Sequence, residues 1–370
     1  MDGLRDFHYV EFRVSNALQT SFWYCCCLGF NRFAIQKDEK TTAIAIRNGK
    51  AIFVIKSIHD DMNKENSDQI RAHGDAIKDI AFRVDDIDAV AERLISNGVE
   101  ILLPKTMIQD EDGRVMLLKL QAKDSDITHT LVNDKDYHGL FLPGFQPVDD
   151  YALCSSLEPI PMVLVDHVVQ NYPVGTIEDA AEWYKQSLAL HRFWSIDDRI
   201  TTSEYSAMKA WLITNDDQKV QMTLAEAVPR RNGTSQIEEF VNYNGGPGIQ
   251  HVALLVDDIV STVIKMQERS VEFLHVPPSY YVLLEERLKN SKVHLKEDIA
   301  KLRELCILMD FDDNGYLLQL FTKPVQDRPT LFIEIIQRRN FNGFGAGNFK
   351  ALFDAVEREQ RLRGTLCEET

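Results

Sequence analysis

The sequence has no Cys-x-x-Cys pair, and its six cysteines are Cys25, Cys26, Cys27, Cys154, Cys306 and Cys367. Three are consecutive, and adjacent cysteines rarely pair, so reduced thiols are expected rather than a disulfide framework or a zinc knuckle. No Lys, Arg or His adjoins the triplet to favour a thiolate. No run of about 18 apolar residues occurs, and none is expected to cross a membrane as a helix. The opening residues, Met1-Asp-Gly-Leu-Arg-Asp6, carry neither an apolar signal core nor an Arg- and Ser-rich leader. The cytoplasm is the expected compartment, with mitochondrial association left open. Positive charge is also short: 41 Lys and Arg stand against 57 Asp and Glu, for a formal net charge of -16. That balance argues against nucleic acid or an anionic membrane as primary partner. A small anionic substrate stays compatible with it, because a bound metal ion can dominate the local field.

What is present is a chain of 370 residues, 44% hydrophobic and 26% charged, the composition of a soluble globular protein with two or three domains. Alternation of polar and apolar residues marks strands at 7–15, 78–86, 163–170 and 249–256. Helices are expected at 17–30, 87–97, 176–189, 233–242, 258–269 and 347–362, and the polar segment 283–304 also reads as helical. Residues 144–162 hold Pro147, Pro159 and Pro161 with little periodicity and form the linker candidate. The two sides echo each other. Asp79-Ile-Ala-Phe-Arg-Val-Asp-Asp-Ile87 aligns without a gap on His251-Val-Ala-Leu-Leu-Val-Asp-Asp-Ile259. A strand with His8 or His167 opens each half, followed by a helix bearing Trp23-Tyr24 or Trp183-Tyr184. The reading is α+β, with domains at 1–150 and 151–370 built from βαβββ units that curl into half-open barrels with helices outside.

Within the apolar strand Pro329–Arg338 sits one carboxylate, Glu334, which is expensive there unless something positive binds it. One candidate partner is Arg338, close in sequence. The other is a metal ion shared with His167 and His251, which lie on separate strands of the second half at spacings of about 84 and 83 residues. Two imidazoles and one carboxylate form the facial triad of non-haem iron oxygenases, whose open positions admit a bidentate oxoacid and O2. The first half keeps His8 but has Asp79 where His251 falls, and no carboxylate inside its last strand, so that repeat is expected to lack a site.

Around these residues the chain resembles the 4-hydroxyphenylpyruvate dioxygenase family, a two-domain branch of the vicinal oxygen chelate fold. The resemblance rests on Asp166-His-Val-Val169, His191-Arg-Phe-Trp-Ser-Ile-Asp-Asp198, Gln250-His-Val-Ala253, the run from Tyr316 to Phe332, Glu334-Ile-Ile-Gln-Arg338 and Gly343-Phe-Gly-Ala-Gly-Asn-Phe349. It implies that His167, His251 and Glu334 bind Fe(II). It also implies that Gln236, Gln250 and Gln319 orient the substrate in catalysis, that Phe321, Phe332 and Phe349 form aromatic walls, and that Phe344 and Asn348 belong to a closing turn and gating helix. The implied reaction takes 4-hydroxyphenylpyruvate and O2 to homogentisate and CO2, in tyrosine and phenylalanine catabolism. A dimer or tetramer is implied, with a homodimer expected.

Three positions depart from the family pattern. Ala210 stands where a serine is usual, Thr223 where a proline is usual, and Ala225 where an asparagine is usual. The expectation is that they alter substrate or product and leave the metal unaffected. The alternative product is 4-hydroxymandelate, from hydroxylation at the benzylic carbon. Phe349 weighs against it by crowding the side chain. A non-catalytic ligand-binding chelate-fold protein is the second alternative, and retention of three ligands and three glutamines weighs against that. Gly343-Phe-Gly-Ala-Gly347 is not expected to bind a dinucleotide, since that motif needs a full βαβ unit with an acidic residue about 20 positions later.

Overall fold

The computed structural model describes residues 3–59, 64–196, 207–228 and 234–366. An expected strand at 202–206, an expected turn at 229–233 and Cys367 lie outside the described residues. The first sheet is built from β1 (Leu4–Arg13), β2 (Asn31–Lys37), β3 (Thr41–Asn48), β4 (Ala51–Ile58), β5 (Ala76–Val84), β6 (Ile101–Asp110), β7 (Gly113–Gln121), β8 (Thr128–Asn133) and β9 (Gln146–Pro147). The second is built from β10 (Leu164–Tyr172), β11 (His191–Ile196), β12 (Met208–Thr214), β13 (Gln221–Ala227), β14 (Gly248–Leu255), β15 (Leu308–Phe311), β16 (Tyr316–Phe321) and β17 (Phe332–Arg339).

The strand orders β6-β7-β8-β5-β1-β4-β3-β2-β9 and β11-β12-β13-β10-β14-β17-β16-β15 are one pattern read in opposite directions, apart from β9. The repeat seen in the sequence is therefore a repeat of topology. Each sheet curls into a half-barrel, because a helix connects the first strand of each unit to the meander that pairs back on it. Aromatic and aliphatic side chains from both halves, including Phe12, Phe53, Tyr172 and Leu254, share one continuous core. No helix among the described residues is long and apolar enough to cross a membrane.

Two expectations are revised. Residues 144–162 are more than a linker: β9 pairs with β2, a short helix spans Ala152–Ser156, and Asn48 Nδ2 donates to Ile160 O at 2.7 Å. The segment 283–304 is not one helix. A helix runs Pro278–Lys289, stops at Asn290, and a second one spans only Ile299–Glu304. Between them Glu297 accepts from the Tyr316 hydroxyl (2.7 Å) and from Gln337 Nε2 (2.6 Å), bonds that a continuous helix would forgo. Asp298 then caps the restart by accepting from Ala300 N–H.

The halves meet at a hydrogen-bonded seam. His129 on β8 is fully buried, with Nδ1 at 3.1 Å from Ile80 O and Nε2 at 2.9 Å from the Tyr184 hydroxyl, which also reaches Gln170 at 2.9 Å. Burial lowers its pKa to about 4, against the weaker upward pull of the Asp79 charge and the Ile80 carbonyl. The unfolded chain therefore takes up this proton first as pH falls. Stability from the neutral imidazole is complete above about pH 6.5 and is lost as pH falls toward 4. Between pH 7 and 5 the loss is about 2 kcal/mol. The variant His129→Gln is expected to flatten the pH dependence of Tm over that range. Parallel pH profiles for the variant and the parent would exclude this role for His129.

Candidate metal centre and substrate cavity

Each triad member comes from a different strand. His167 is on β10, His251 on β14 and Glu334 on β17, three neighbours in the second sheet. Register places Ala253 opposite both His167 and Glu334, so the three side chains converge from adjacent rows. All are buried: His167 is 4%, His251 6% and Glu334 2% exposed. Glu334 Oε2 lies 3.2 Å from His167 Nε2 and 3.3 Å from His251 Nε2, and the donor atoms fall within 4.8 Å of one another. Among the described residues no other group of three such side chains converges in this way.

The outer ring nitrogens are already committed. His167 Nδ1 donates to Asp166 Oδ2 at 2.8 Å and His251 Nδ1 to Gln250 Oε1 at 3.1 Å, which leaves both Nε2 atoms facing Glu334. The Phe332 ring stacks on His251 at 4.7 Å and 22°, while Phe321 meets it edge-on at 6.0 Å. A buried carboxylate beside two imidazoles needs positive charge. Burial drives the His167 pKa down, but the charges of Glu334 and Asp166 outweigh it and raise it to about 9. Burial keeps that of His251 below normal. Burial also works against ionised Glu334, yet the imidazoles hold it at about 2. Two oriented imidazoles and an ionised carboxylate, with no Lys or Arg among them, fit a divalent cation, which would take the place of the His167 proton.

Arg338 does not neutralise Glu334. It pairs with Asp166 through Nε to Oδ1 (2.8 Å) and Nη2 to Oδ2 (2.7 Å), and its Nη1 donates to Phe341 O (3.1 Å) and Gly343 O (2.6 Å). One guanidinium thus ties the carboxylate behind His167 to the turn that carries Phe344, whose ring packs 5.1 Å from that of His167.

The triad forms one end of a cavity that opens to solvent. Gln236, Gln250, Gln319, Phe321, Phe344, Phe349, Ala210, Thr223 and Ala225 all line it. Two expected pocket residues do not. Phe332 backs His251 from behind. Asn348, 1% exposed, donates from Nδ2 to Gln319 Oε1 at 3.2 Å and accepts from the Tyr280 hydroxyl at 2.6 Å. It orients Gln319, whose Nε2 lies 3.4 Å from Glu334 Oε1, without facing the cavity itself. Gly345 permits this arrangement. Its φ is +70°, and a Cβ there would fall 1.8 Å from Gln319 Oε1. The closing helix begins at Phe349, after a 3₁₀ turn over Ala346–Asn348, and runs to Arg363. It lays Phe349, Leu352 and Phe353 over the cavity and is pinned by Arg363 to Glu239 at 2.8 Å.

Sequence reasoning missed Asn171, Met208, Leu212 and Ile237 as lining residues. Asn171 was within reach, since it follows His167 and Val169 at the strand period of two. The helix residue Ile237 and the Asp166–Arg338 pair carried no local signal.

The corresponding place in the first half is filled by side chains. Register sets Asp79 opposite Thr128 as His251 is set opposite Phe332, so Thr130 stands where Glu334 would be. Asp79 accepts from Thr130 Oγ1 at 2.6 Å and pairs with Lys119 Nζ at 2.7 Å. An ammonium group supplies internally the charge that a metal ion would bring.

Comparison with known proteins agrees with this architecture. Residues 164–285 match the Glyoxalase/Bleomycin resistance protein/Dioxygenase superfamily. A Caenorhabditis elegans protein whose name states no activity is 54% identical over 99% of this chain and 100% of its own. The 4-hydroxyphenylpyruvate dioxygenase of Danio rerio is 42% identical, covering 98% of this chain and 92% of its own. A solved structure of a mutant 4-hydroxymandelate synthase from Streptomyces coelicolor superposes with a TM-score of 0.82 at 31% identity, over 97% of this chain and all of that one. Identity at this level along nearly the whole of both chains leaves one conclusion: the chain belongs to the 4-hydroxyphenylpyruvate dioxygenase family.

Proposed function

We propose that this protein is an Fe(II)-dependent dioxygenase that converts 4-hydroxyphenylpyruvate and O2 to homogentisate and CO2. The observation that carries the reading is the buried triad of His167, His251 and Glu334, with both Nδ1 atoms tied back by Asp166 and Gln250. His167, His251 and Glu334 would hold the metal. When bound, iron supplies a chelation point for the 2-oxoacid and activates O2. The protein's own part is positional. Gln319, fixed by Asn348 and Glu334, offers its amide edge beside the triad, and Gln250 is held by His251. The apolar walls, Phe321, Phe344, Phe349 and Phe353, exclude water from the reacting carbon atoms. Phe349 packs against the apolar cluster that includes Ile237 and Phe353 and lines the cavity, where it restricts how the substrate ring can lie.

The testing experiment is oxygen uptake by the iron-loaded protein with 4-hydroxyphenylpyruvate, with chromatography and mass spectrometry of the product. Homogentisate and CO2 in equal amounts are expected. A 4-hydroxymandelate product would reassign the reaction to the benzylic carbon, and substrate binding without O2 consumption would make the protein a binding module.

Ala210 and Ala225 are cross-strand partners on β12 and β13, and both line the cavity. The double variant Ala210→Ser/Ala225→Asn adds two polar groups to that wall. A group that pairs with the substrate there is worth about 1–3 kcal/mol, so affinity for 4-hydroxyphenylpyruvate is expected to rise by roughly ten- to a hundredfold. Unchanged affinity and turnover would show that this wall does not touch the substrate.

A further inference from the structure

Asn171 is fully buried, lines the cavity, and has no protein hydrogen-bond partner for either Nδ2 or Oδ1. A buried amide with both ends unpaired is costly, and buried polar groups otherwise find partners almost without exception. Its partner therefore comes from whatever occupies the cavity. The register explains why no side chain supplies it. Asn171 on β10 lies opposite Ala225 on β13, which lies opposite Ala210 on β12. The row that should hold polar neighbours is two methyl groups wide.

We propose that Asn171 is a specificity-determining residue that hydrogen-bonds the aryl hydroxyl of a hydroxylated aromatic 2-oxoacid. The proposal deepens the function assigned above and rests on it for the orientation of the substrate. That orientation is set by the triad. Val169 is the register partner of His251, and Asn171 lies two residues further along the same face, a step of roughly 7 Å. With the oxoacid end at the triad, a six-membered ring projects along this face toward the row of Asn171, Ala225 and Ala210. Two of the other cavity amides are engaged elsewhere, Gln250 with His251 and Gln319 with Glu334 and Asn348. Gln236 enters from the first turn of the helix Gln236–Asn244 and not from the sheet. A phenolic hydroxyl both donates and accepts, and the Asn171 amide offers an acceptor and a donor. A ring without the hydroxyl leaves the amide unpaired, which is how a polar site rejects a substrate that lacks the matching group.

The test is calorimetric titration, without oxygen, of the iron-loaded protein with 4-hydroxyphenylpyruvate and with phenylpyruvate. It compares the parent with Asn171→Leu, and with Asn171→Ala in case the larger side chain prevents folding. The parent is expected to bind the hydroxylated acid at least tenfold more tightly. Both variants are expected to bring the two affinities within about threefold by weakening the hydroxylated acid alone, with iron content unchanged. In steady state the loss should fall on KM more than on kcat. A variant that keeps the tenfold preference overturns the proposal, as does one that weakens both acids equally, or a parent with no preference. Binding and turnover separate this inference from the reaction assignment. An Asn171-dependent preference without O2 consumption would remove the dioxygenase reading and leave Asn171 in its role. O2 consumption with a preference indifferent to residue 171 would do the reverse.

Discussion

Glu334→Ala is expected to abolish iron retention and oxygen uptake together. Glu334 Oε2 is the one negatively charged donor atom facing both His167 Nε2 (3.2 Å) and His251 Nε2 (3.3 Å). Without it two neutral imidazoles remain, a donor set too small and uncharged to hold a hard divalent ion against water. Iron per chain after desalting should fall to background, and O2 uptake to the rate without protein. The metal-free protein should stay folded, since loss of the carboxylate lets His167 give up its proton and rest as a neutral, buried imidazole. Circular dichroism of the metal-free variant checks this. Should alanine unfold the protein, Glu334→Gln preserves the shape and removes only the charge. Normal iron content in a folded variant of either kind would refute the ligand assignment.

The second large effect is expected from a residue that touches neither metal nor substrate. Arg338→Met removes both bonds to Asp166 and both to the carbonyls of Phe341 and Gly343. Burial alone would push the Asp166 carboxyl up, yet Arg338 and His167 hold it well below the usual carboxylate range. Breaking a buried ion pair from one side typically costs about 3–5 kcal/mol, because the remaining charge is left unpaired. Urea denaturation of the metal-free protein should show a loss of that order. Iron affinity, measured by competition with a chelator, should drop roughly 10–100-fold, since Asp166 orients His167 and maintains its basicity. Arg338→Lys should recover only part of either loss, as an ammonium group cannot make the two-pronged contact. A fully stable Arg338→Met variant with parental iron affinity would show that the pair is dispensable.

These two residues mark how far the sequence could be read. Glu334 announced itself as a charge inside the apolar run of β17. The gapless match of Asp79–Ile87 to His251–Ile259 then paired it with His167 and His251. Arg338 was visible too, and proximity in sequence suggested Glu334 as its partner. In the strand the two are four residues apart, and the guanidinium turns instead to Asp166 on β10, 172 positions away in the chain. The family resemblance implies pocket positions for Asn348 and Phe332, but their side chains turn elsewhere. Asn348 faces Gln319 and Tyr280, and Phe332 faces the ring of His251. The broken helix around Lys292–Asp298 followed the same rule, with Tyr316 and Gln337 offering Glu297 better bonds than a helical turn would.

By itself the sequence determined the strand and helix periods, the duplication and the half that carries the triad. All of these are properties of residue type and local spacing, which the chain carries before it folds. Only the tertiary structure decided what each polar group faces: Arg338 toward Asp166, Lys119 filling the vacant place of the first half, and Asn171 facing the cavity without a protein partner. Those outcomes depend on which strands lie side by side and in what register. A hydrogen bond forms over about 3 Å between atoms whose residues can be any distance apart in the chain.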